Sequence, residues 1–396
     1  MGILKRLRRS VQKITSRAGL SDDEARLAND LEIGISQSQS VQLSQIGRAL
    51  DDKEPLLSTE RRLSEGLAED ASGLDRMQQA WLDEVAPTAS RMPLITVDGS
   101  DLTKPYGKAF QYLDWVRDGS VPGKPTKPGY WDISIEATDG HHHHLPLWLD
   151  VYSTKDPAYL GWTETFQQAV RRVVAAIGTG ALWLFDRGFD DVAFMAFLIF
   201  LHLTWVIRLR RNRNVLLGDP KNPVVMNIGQ LAQGLKKPHT AVIEYVDKST
   251  HKRKTCKVFF GYVPIRLPDL EGTYWLVVVT GTRGEDWLLL TNKAPSCVKE
   301  AEGIVQAYVQ RWGNEEVTRC WKQCTGAEKF LVRKMCSIRR LLFHAMMAMG
   351  IQALWLLTRP HSVQKLIRRV KMFIEDVPFL HYRLWYGVSD ALLHGS

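Results

Sequence analysis

The chain is poor in cysteine. Its 396 residues hold five, Cys256, Cys297, Cys320, Cys324 and Cys336, an odd, scattered set that excludes a small disulfide scaffold and suits a reducing cytosol. Cys320 and Cys324 stand one helical turn apart and supply at most half a zinc site, because no second pair of cysteines or histidines follows at finger-like spacing. Long apolar runs are also lacking. Val192 to Ile207 and Leu341 to Leu357 carry no charge, but both are shorter than the roughly 20 residues that cross a bilayer. The first reads as an interior helix feeding a buried strand near Leu203, the second as a helix packed on a sheet. The first twenty residues lack the apolar core of a signal peptide and carry Lys5, Arg6, Arg8, Arg9, Lys13 and Arg17, which reads as a basic arm. Acidic residues are outnumbered, 43 against 52 Lys and Arg, for a net charge of +9 and a pI near 9.2. Such a balance suits a polyanionic partner, although it is also common in proteins that bind no nucleic acid. A hydrophobic share of 45% makes the chain globular, and its length allows two or three units of about 100 to 200 residues.

What is present concentrates in Tyr308-Val-Gln-Arg311-Trp-Gly-Asn-Glu315-Glu316, running on to Lys322. If this stretch is one helix at about 100° per residue, Arg311 lies near 300° from Tyr308, Glu315 near 340° and Lys322 near 320°. One narrow face then carries a tyrosine, an arginine, a carboxylate and a lysine, which is unlike either an apolar buried stripe or a random solvated face. Glu316 falls near 80° and points elsewhere.

Two upstream aspartates have a shared context. In Met92-Pro-Leu-Ile-Thr-Val-Asp98-Gly99 a β-favouring apolar run reaches an aspartate and a glycine, which predicts the end of a strand with Asp98 at its carboxyl edge. Asp101, three residues on, is a rival expected to lie past the strand. In Ala181-Leu-Trp-Leu-Phe-Asp186-Arg-Gly-Phe-Asp190 a second buried-type strand ends on Asp186 and passes through a glycine into a helix.

The spacing Y-x2-R-x3-E-x6-K at Tyr308, Arg311, Glu315 and Lys322, with the D-R-G-F-D run at Asp186 and the strand-end Asp98, resembles the bacterial insertion-sequence transposases of the DDE class. The resemblance spans roughly residues 35 to 358. It implies an α/β fold: a ribonuclease-H-like catalytic core, interrupted by a mostly β insertion and preceded by an all-helical N-terminal domain. It further implies that Asp98, Asp186 and Glu315 hold two Mg2+ ions, with Mn2+ as a substitute, for phosphodiester cleavage and strand transfer. Hard cations prefer such carboxylate oxygens, and a pair of them can activate the attacking oxygen and stabilise the leaving one. Arg311 and Lys322 are assigned to DNA phosphates near the cut, and Tyr308 to a backbone contact. The expected partners are double-stranded DNA with terminal inverted repeats, target DNA and a second protomer in the DNA complex. The expected location is the cytoplasm, with action at the nucleoid.

In chain order, residues 1–90 are expected to form the helical DNA-binding domain with its basic arm, opened by Ser21-Asp-Asp-Glu and with Arg48, Arg61 and Arg62 on its surface. A helical scaffold domain is the other reading. Residues 91–213 and 291–358 are the two parts of the core, 214–290 the β-rich insertion and 359–396 a C-terminal tail. A loop with Lys104, Pro105, Lys124 and Lys127 precedes the runs Tyr130 to Thr138 and Leu145 to Tyr152. These flank Asp139-Gly140 and predict a hairpin whose tip is the tract His141 to His144; opportunistic metal binding is the other reading of that tract. Trp162 to Ala176 is expected as a helix. Trp205 to Arg210 alternates apolar and basic residues and, with Arg213, predicts a half-buried strand whose arginine face, Arg208 and Arg210, tracks phosphates. Trp287, in the insertion's last strand, either receives a base flipped from the DNA end, as in some relatives, or is a core residue. Arg333, Lys334, Arg339 and Arg340 precede the final apolar helix, and the tail's Lys365, Arg368, Arg369 and Lys371, with the aromatic cluster Phe379, Tyr382, Trp385 and Tyr386, are candidates for dimer or DNA contacts.

A DNA-binding regulator or inactive remnant of the same fold, and a ribonuclease-H-type nuclease acting on RNA–DNA hybrids, are the alternative readings. All three carboxylates in context weigh against the first; the β insertion and basic stretches weigh against the second.

Overall fold

The computed structural model describes residues 2–394 apart from 51–52, 70–71, 118–122, 124, 142, 247–252, 283 and 371–379, so Lys124, His142, Lys371 and Phe379 lie outside the described residues. Five helices open the chain: α1 (Ile3–Arg17), α2 (Asp22–Ser38), α3 (Leu43–Leu50), α4 (Leu56–Leu67) and α5 (Ser72–Ala89). Then come β1 (Leu94–Thr103), β2 (Asp114–Arg117), β3 (Thr126–Thr138), β4 (His144–Tyr152), α6 (Trp162–Ile177), β5 (Leu182–Phe185), α7 (Val192–Phe200) and β6 (Thr204–Arg208). The remainder is β7 (Asn214–Leu217), β8 (Val224–Asn227), α8 (Ile228–Gly234), β9 (His239–Val246), β10 (Arg253–Leu267), β11 (Leu270–Thr280), β12 (Trp287–Thr291), α9 (Val298–Gln310), α10 (Trp312–Thr325), α11 (Met335–Thr358), α12 (Pro360–Arg369) and α13 (Leu380–His394). The protein is thus a mixed α/β structure in two compact units, one of Met1–Met92, Asp98–Gly178 and Glu315–Ser396, the other of Pro93–Val97 and Thr179–Asn314.

The first unit is built around α11. By length and composition this helix could cross a membrane, but 83% of its apolar window is buried inside the protein. Helices α2 and α5 and strand β4 pack on it. Gly350 lets the helix seat closely: a Cβ there would come within 2.4 Å of the Trp81 ring. Trp81 in turn donates its indole N–H to the Pro146 carbonyl at 3.1 Å. Strands β3 and β4 form the expected antiparallel hairpin, with a register shift between Ile135 and Glu136 and Gly140 in the left-handed turn position, but His144, expected in the solvated tip, is the first residue of β4 and buried. The Ser21 capping box with Glu24 opens α2 as its sequence predicts.

Three expectations in this unit are corrected. The stretch read as a basic arm is α1, because Ile3, Leu7, Val11 and Ile14 recur at helical spacing and are buried while Lys13 and Arg17 pair with Glu84 at 2.8 and 3.0 Å. The tail's Trp385 is buried and donates to the Cys324 carbonyl at 3.2 Å, so it anchors α13 to α10. Strand β1 does not stop at Asp98 but continues through Asp101 to Thr103. Its outer half lies beside β3, and Gly99, whose Cβ would approach the Phe166 ring to 3.0 Å, serves close packing there.

Several basic residues of this unit are tied to their own fold. Arg62 pairs with Asp30 at 2.6 Å and Arg61 with Glu65 at 2.7 Å. Arg339 grips Asp150 with two bonds of 2.7 Å, and the Arg340 guanidinium donates to the Gly66 carbonyl at 2.9 Å.

In the second unit the strands run β1-β5-β6-β12-β11-β10-β7-β8, with β9 on β10. The first three are parallel, the rest antiparallel. The segments Thr240 to Tyr245, Lys257 to Val263 and Tyr274 to Val279 fall inside β9, β10 and β11 as expected. Strand β6 is flanked by β5 and β12, and Trp205, Val206 and Ile207 are all buried. The half-buried strand with an arginine face is therefore a central strand, with its arginines gathered at and beyond its carboxyl end.

Candidate active site

The parallel strands of the second unit bring their carboxyl ends level. Val97 of β1 is opposite Phe185 of β5, and Phe185 is opposite Ile207 of β6. The next residue along each strand is Asp98, Asp186 and Arg208 respectively. In an open parallel sheet this edge is where ligands bind, because the strand ends and the loops leaving them converge there. Asp186 is half-buried, and its Oδ1 accepts the Gly188 N–H at 2.7 Å, opening the short 3-10 turn Arg187–Phe189. Gly188 permits that turn, since a Cβ would stand 2.9 Å from the same oxygen.

Beside Asp186 the unit collects cations. Arg208 is one-fifth exposed, and burial, followed by smaller effects that include Arg187 and Arg311, moves its pKa down. Tyr308, 3% exposed, has its phenol pushed up by burial, with Arg311 and Arg208 opposing and Asp186 adding to the shift. The Arg311 guanidinium lies 5.7 Å from the Tyr308 ring centroid and is itself 7% exposed. One carboxylate, Glu285, meets Arg187 at 3.0 Å and Arg208 at 3.7 Å. Arg213 serves a different purpose: its Nε donates to Asp190 at 2.7 Å, while the Arg210 backbone N–H bonds the other oxygen of Asp190 at 2.8 Å. Asp190 thus closes the loop after β6 onto the loop after β5.

Trp287 is 3% exposed, edge-on to Tyr308 at 5.5 Å and to Trp312 at 5.4 Å, within the core cluster under α9. This is the setting of a core tryptophan. Trp287→Ala is expected to cost about 3–5 kcal/mol of stability, read as a lowered melting temperature. A base-stacking role predicts the reverse, impaired handling of DNA ends with melting unchanged.

The single helical face expected from Tyr308 to Lys322 is divided. Helix α9 ends at Gln310 and α10 starts at Trp312, with Arg311 between them keeping right-handed helical backbone angles, φ -57° and ψ -31°. Trp312 packs against Trp287, and Gly313, a weak helix former, follows it. Tyr308 and Arg311 belong to the second unit; Glu315 and Lys322 belong to the first.

In the first unit Asp98 is half-buried, and its Oδ1 accepts the Gly99 N–H at 3.0 Å. Its charge reaches Glu136, a fully buried acid whose pKa is raised well above the ordinary range by burial first and Asp98 second. Glu315 is exposed in the first turn of α10, whereas Glu316 pairs with Arg319 at 2.7 Å. The Lys322 ammonium donates to Ser100 Oγ at 2.6 Å and to the Asp101 carbonyl at 2.5 Å, and lies 3.3 Å from Asp132 Oδ2. Of its three hydrogens, two are thus used in hydrogen bonds to β1, and Asp132 faces it as an ion pair. Asp132 and Glu136 were not singled out by the sequence pattern. The signal for them was two acids four residues apart in an otherwise apolar strand.

Asp98, Asp186 and Glu315 offer oxygen donors of the kind a hard divalent cation takes. Among the described residues no three His, Cys, Asp or Glu side chains form a ready cage.

No curated protein sequence matches the chain. Among solved structures, the cryo-EM structure of a piggyBac transposase synaptic complex with hairpin DNA is similar at 12% identity and a TM-score of 0.45, over 99% of this chain and 78% of that one. A likeness of that degree does not define a fold. The family described as "Transposase DDE domain" matches residues 90–351, which include all three carboxylates and every residue from Tyr308 to Lys322. The chain belongs to the transposase DDE domain family.

Proposed function

We propose that the chain is a cut-and-paste transposase with a ribonuclease-H-like core, acting on the inverted-repeat ends of its own insertion sequence. The observation that carries this reading is the register of β1, β5 and β6, in which paired residues of two parallel neighbours are each followed by an aspartate, and the third strand by an arginine. Asp98, Asp186 and Glu315 would hold two Mg2+ ions, with Mn2+ able to replace them. When bound, these would make an attacking oxygen nucleophilic and stabilise the leaving oxygen.

The protein's own groups do the rest. Arg311 and Arg208 neutralise phosphates of the cut strand. Tyr308, wedged under Arg311, holds that guanidinium in place and offers its hydroxyl to the backbone. Nicking would expose a 3'-hydroxyl, further cleavage would free the element, and the 3' ends would join target DNA. Handling two ends requires two protomers in the active complex. The setting is the cytoplasm, at the nucleoid.

The test is incubation of the full-length protein with duplexes carrying the repeats that flank its gene, with Mg2+ or Mn2+, resolved on a denaturing gel. Nicks at the element's termini that leave 3'-hydroxyls are expected. Binding without cutting in either metal would favour a DNA-binding regulator, and preferential cutting of RNA–DNA hybrids a ribonuclease-H-type nuclease.

A further inference from the structure

A buried acid, Asp132, and the lysine at its side have a role that the carboxylate motif does not assign. Asp132 lies on β3, paired with Val151 of β4, and is wholly inaccessible. Lys322 is the cation against it and is 16% exposed. Its ammonium also holds two consecutive residues of β1, Ser100 through its hydroxyl and Asp101 through its carbonyl. Further along the same stretch, Glu328 accepts both the backbone N–H and the hydroxyl of Thr103, at 2.8 and 3.1 Å.

These ties have a direction. Lys322 meets residues 100 and 101, and Glu328, in the 3-10 turn Ala327–Lys329 that follows α10, meets residue 103, so the chain from Lys322 onward advances in the same sense as β1. Two helical turns back from Lys322, about 10.5 Å, is Glu315, within about 20° of the same side of the helix. Three strand residues back from Asp101, about 10 Å, is Asp98. We infer that Asp132 and Lys322 form a buried clamp that fixes the level of Glu315 against Asp98, making both positioning residues for the two carboxylates of this unit.

A buried ion pair is a poor source of net stability, because desolvation offsets its attraction; fixing a register is the better-attested use of such pairs. The clamp also gives the six-residue gap between Glu315 and Lys322 a reason, since two turns return the lysine to the glutamate's side.

This inference rests on the transposase reading, and its test separates the two. Full-length Asp132→Asn, Lys322→Met and the double variant are compared with wild type for single-turnover cleavage of pre-bound ends, the salt dependence of DNA binding, and thermal unfolding. Each single variant is expected to cut about 100-fold more slowly, the loss that follows from a misplacement of about 1 Å, with the salt slope unchanged. Lys322→Met, which strands a buried carboxylate, is expected to melt at least about 5 °C lower. The double variant should regain that melting temperature without regaining rate. The clamp is overturned if Asp132→Asn cuts at the wild-type rate, if rate returns with melting temperature in the double variant, or if Lys322→Met alone lowers the salt slope by about one phosphate contact. If wild type binds ends and cuts nothing, the transposase reading fails on its own. Additive melting losses of the two single variants would then overturn the clamp.

Discussion

Glu315→Gln is expected to abolish cleavage of the element's ends, by about 1,000-fold or more, while Glu316→Gln leaves it within about threefold, the equivalent of less than 1 kcal/mol. The two residues are neighbours in the first turn of α10 and differ in what surrounds them. Glu316 is occupied by Arg319 one turn on, in a partly exposed pair of a kind that contributes little to stability. Glu315 is exposed and on the side of the helix that Lys322 turns toward β1. Glutamine keeps the shape and removes the charge, so the comparison isolates the carboxylate. Binding of pre-cut ends should persist in Glu315→Gln, which gel shift can verify beside the cleavage gel. Loss of cleavage in Glu316→Gln alone would mean that the helix presents the other acid and that the level drawn from Lys322 and Glu328 is wrong.

That level is also where reading the sequence reaches its limit. Asp98 and Asp186 were legible because each closes an apolar, β-favouring run and is followed within two residues by glycine; the parallel register of β1 and β5 is the physical counterpart of that pattern. The hairpin of β3 and β4 was legible from Asp139-Gly140 for the same local reason. The continuation of β1 past Asp98 was hidden, since an Asp-Gly pair reads as a stop unless it is known that Phe166 comes against that glycine. In α1 the charges of Lys5, Arg6, Arg8 and Arg9 masked the stripe Ile3, Leu7, Val11, Ile14, which periodicity alone would have found. At Tyr308 to Lys322 the period was right over each half, and the local sign of the break beside Arg311, the weak helix former Gly313, is too common to mark it. Lys322 presents the sharpest case. Its acceptors on β1 are more than 220 residues distant, and no spacing rule reports whether a lysine faces a phosphate or a buried aspartate.

Arg311→Ala is the second change with a large expected effect. Arg311 is 7% exposed, with its guanidinium 5.7 Å from the Tyr308 ring centroid, and its influence is felt at Arg208 and Tyr308 alike. Arg311 acts on Arg208 as a like charge, and Glu285 meets Arg187 at 3.0 Å and Arg208 at 3.7 Å. A phosphate of the cut strand would offset the like charges of Arg208 and Arg311 when DNA arrives. Removal of Arg311 is therefore expected to slow cleavage by about 100- to 1,000-fold and to flatten the salt dependence of end binding by about one contact. The planar fork that fits phosphate oxygens is absent from lysine, so Arg311→Lys should restore the salt slope and little of the rate. Tyr308→Phe supplies the control: it keeps the ring under the guanidinium and should lose less than tenfold. If Arg311→Lys cut at the wild-type rate, simple charge would suffice at this position. The enclosed geometry around Tyr308 would then be packing that serves the fold.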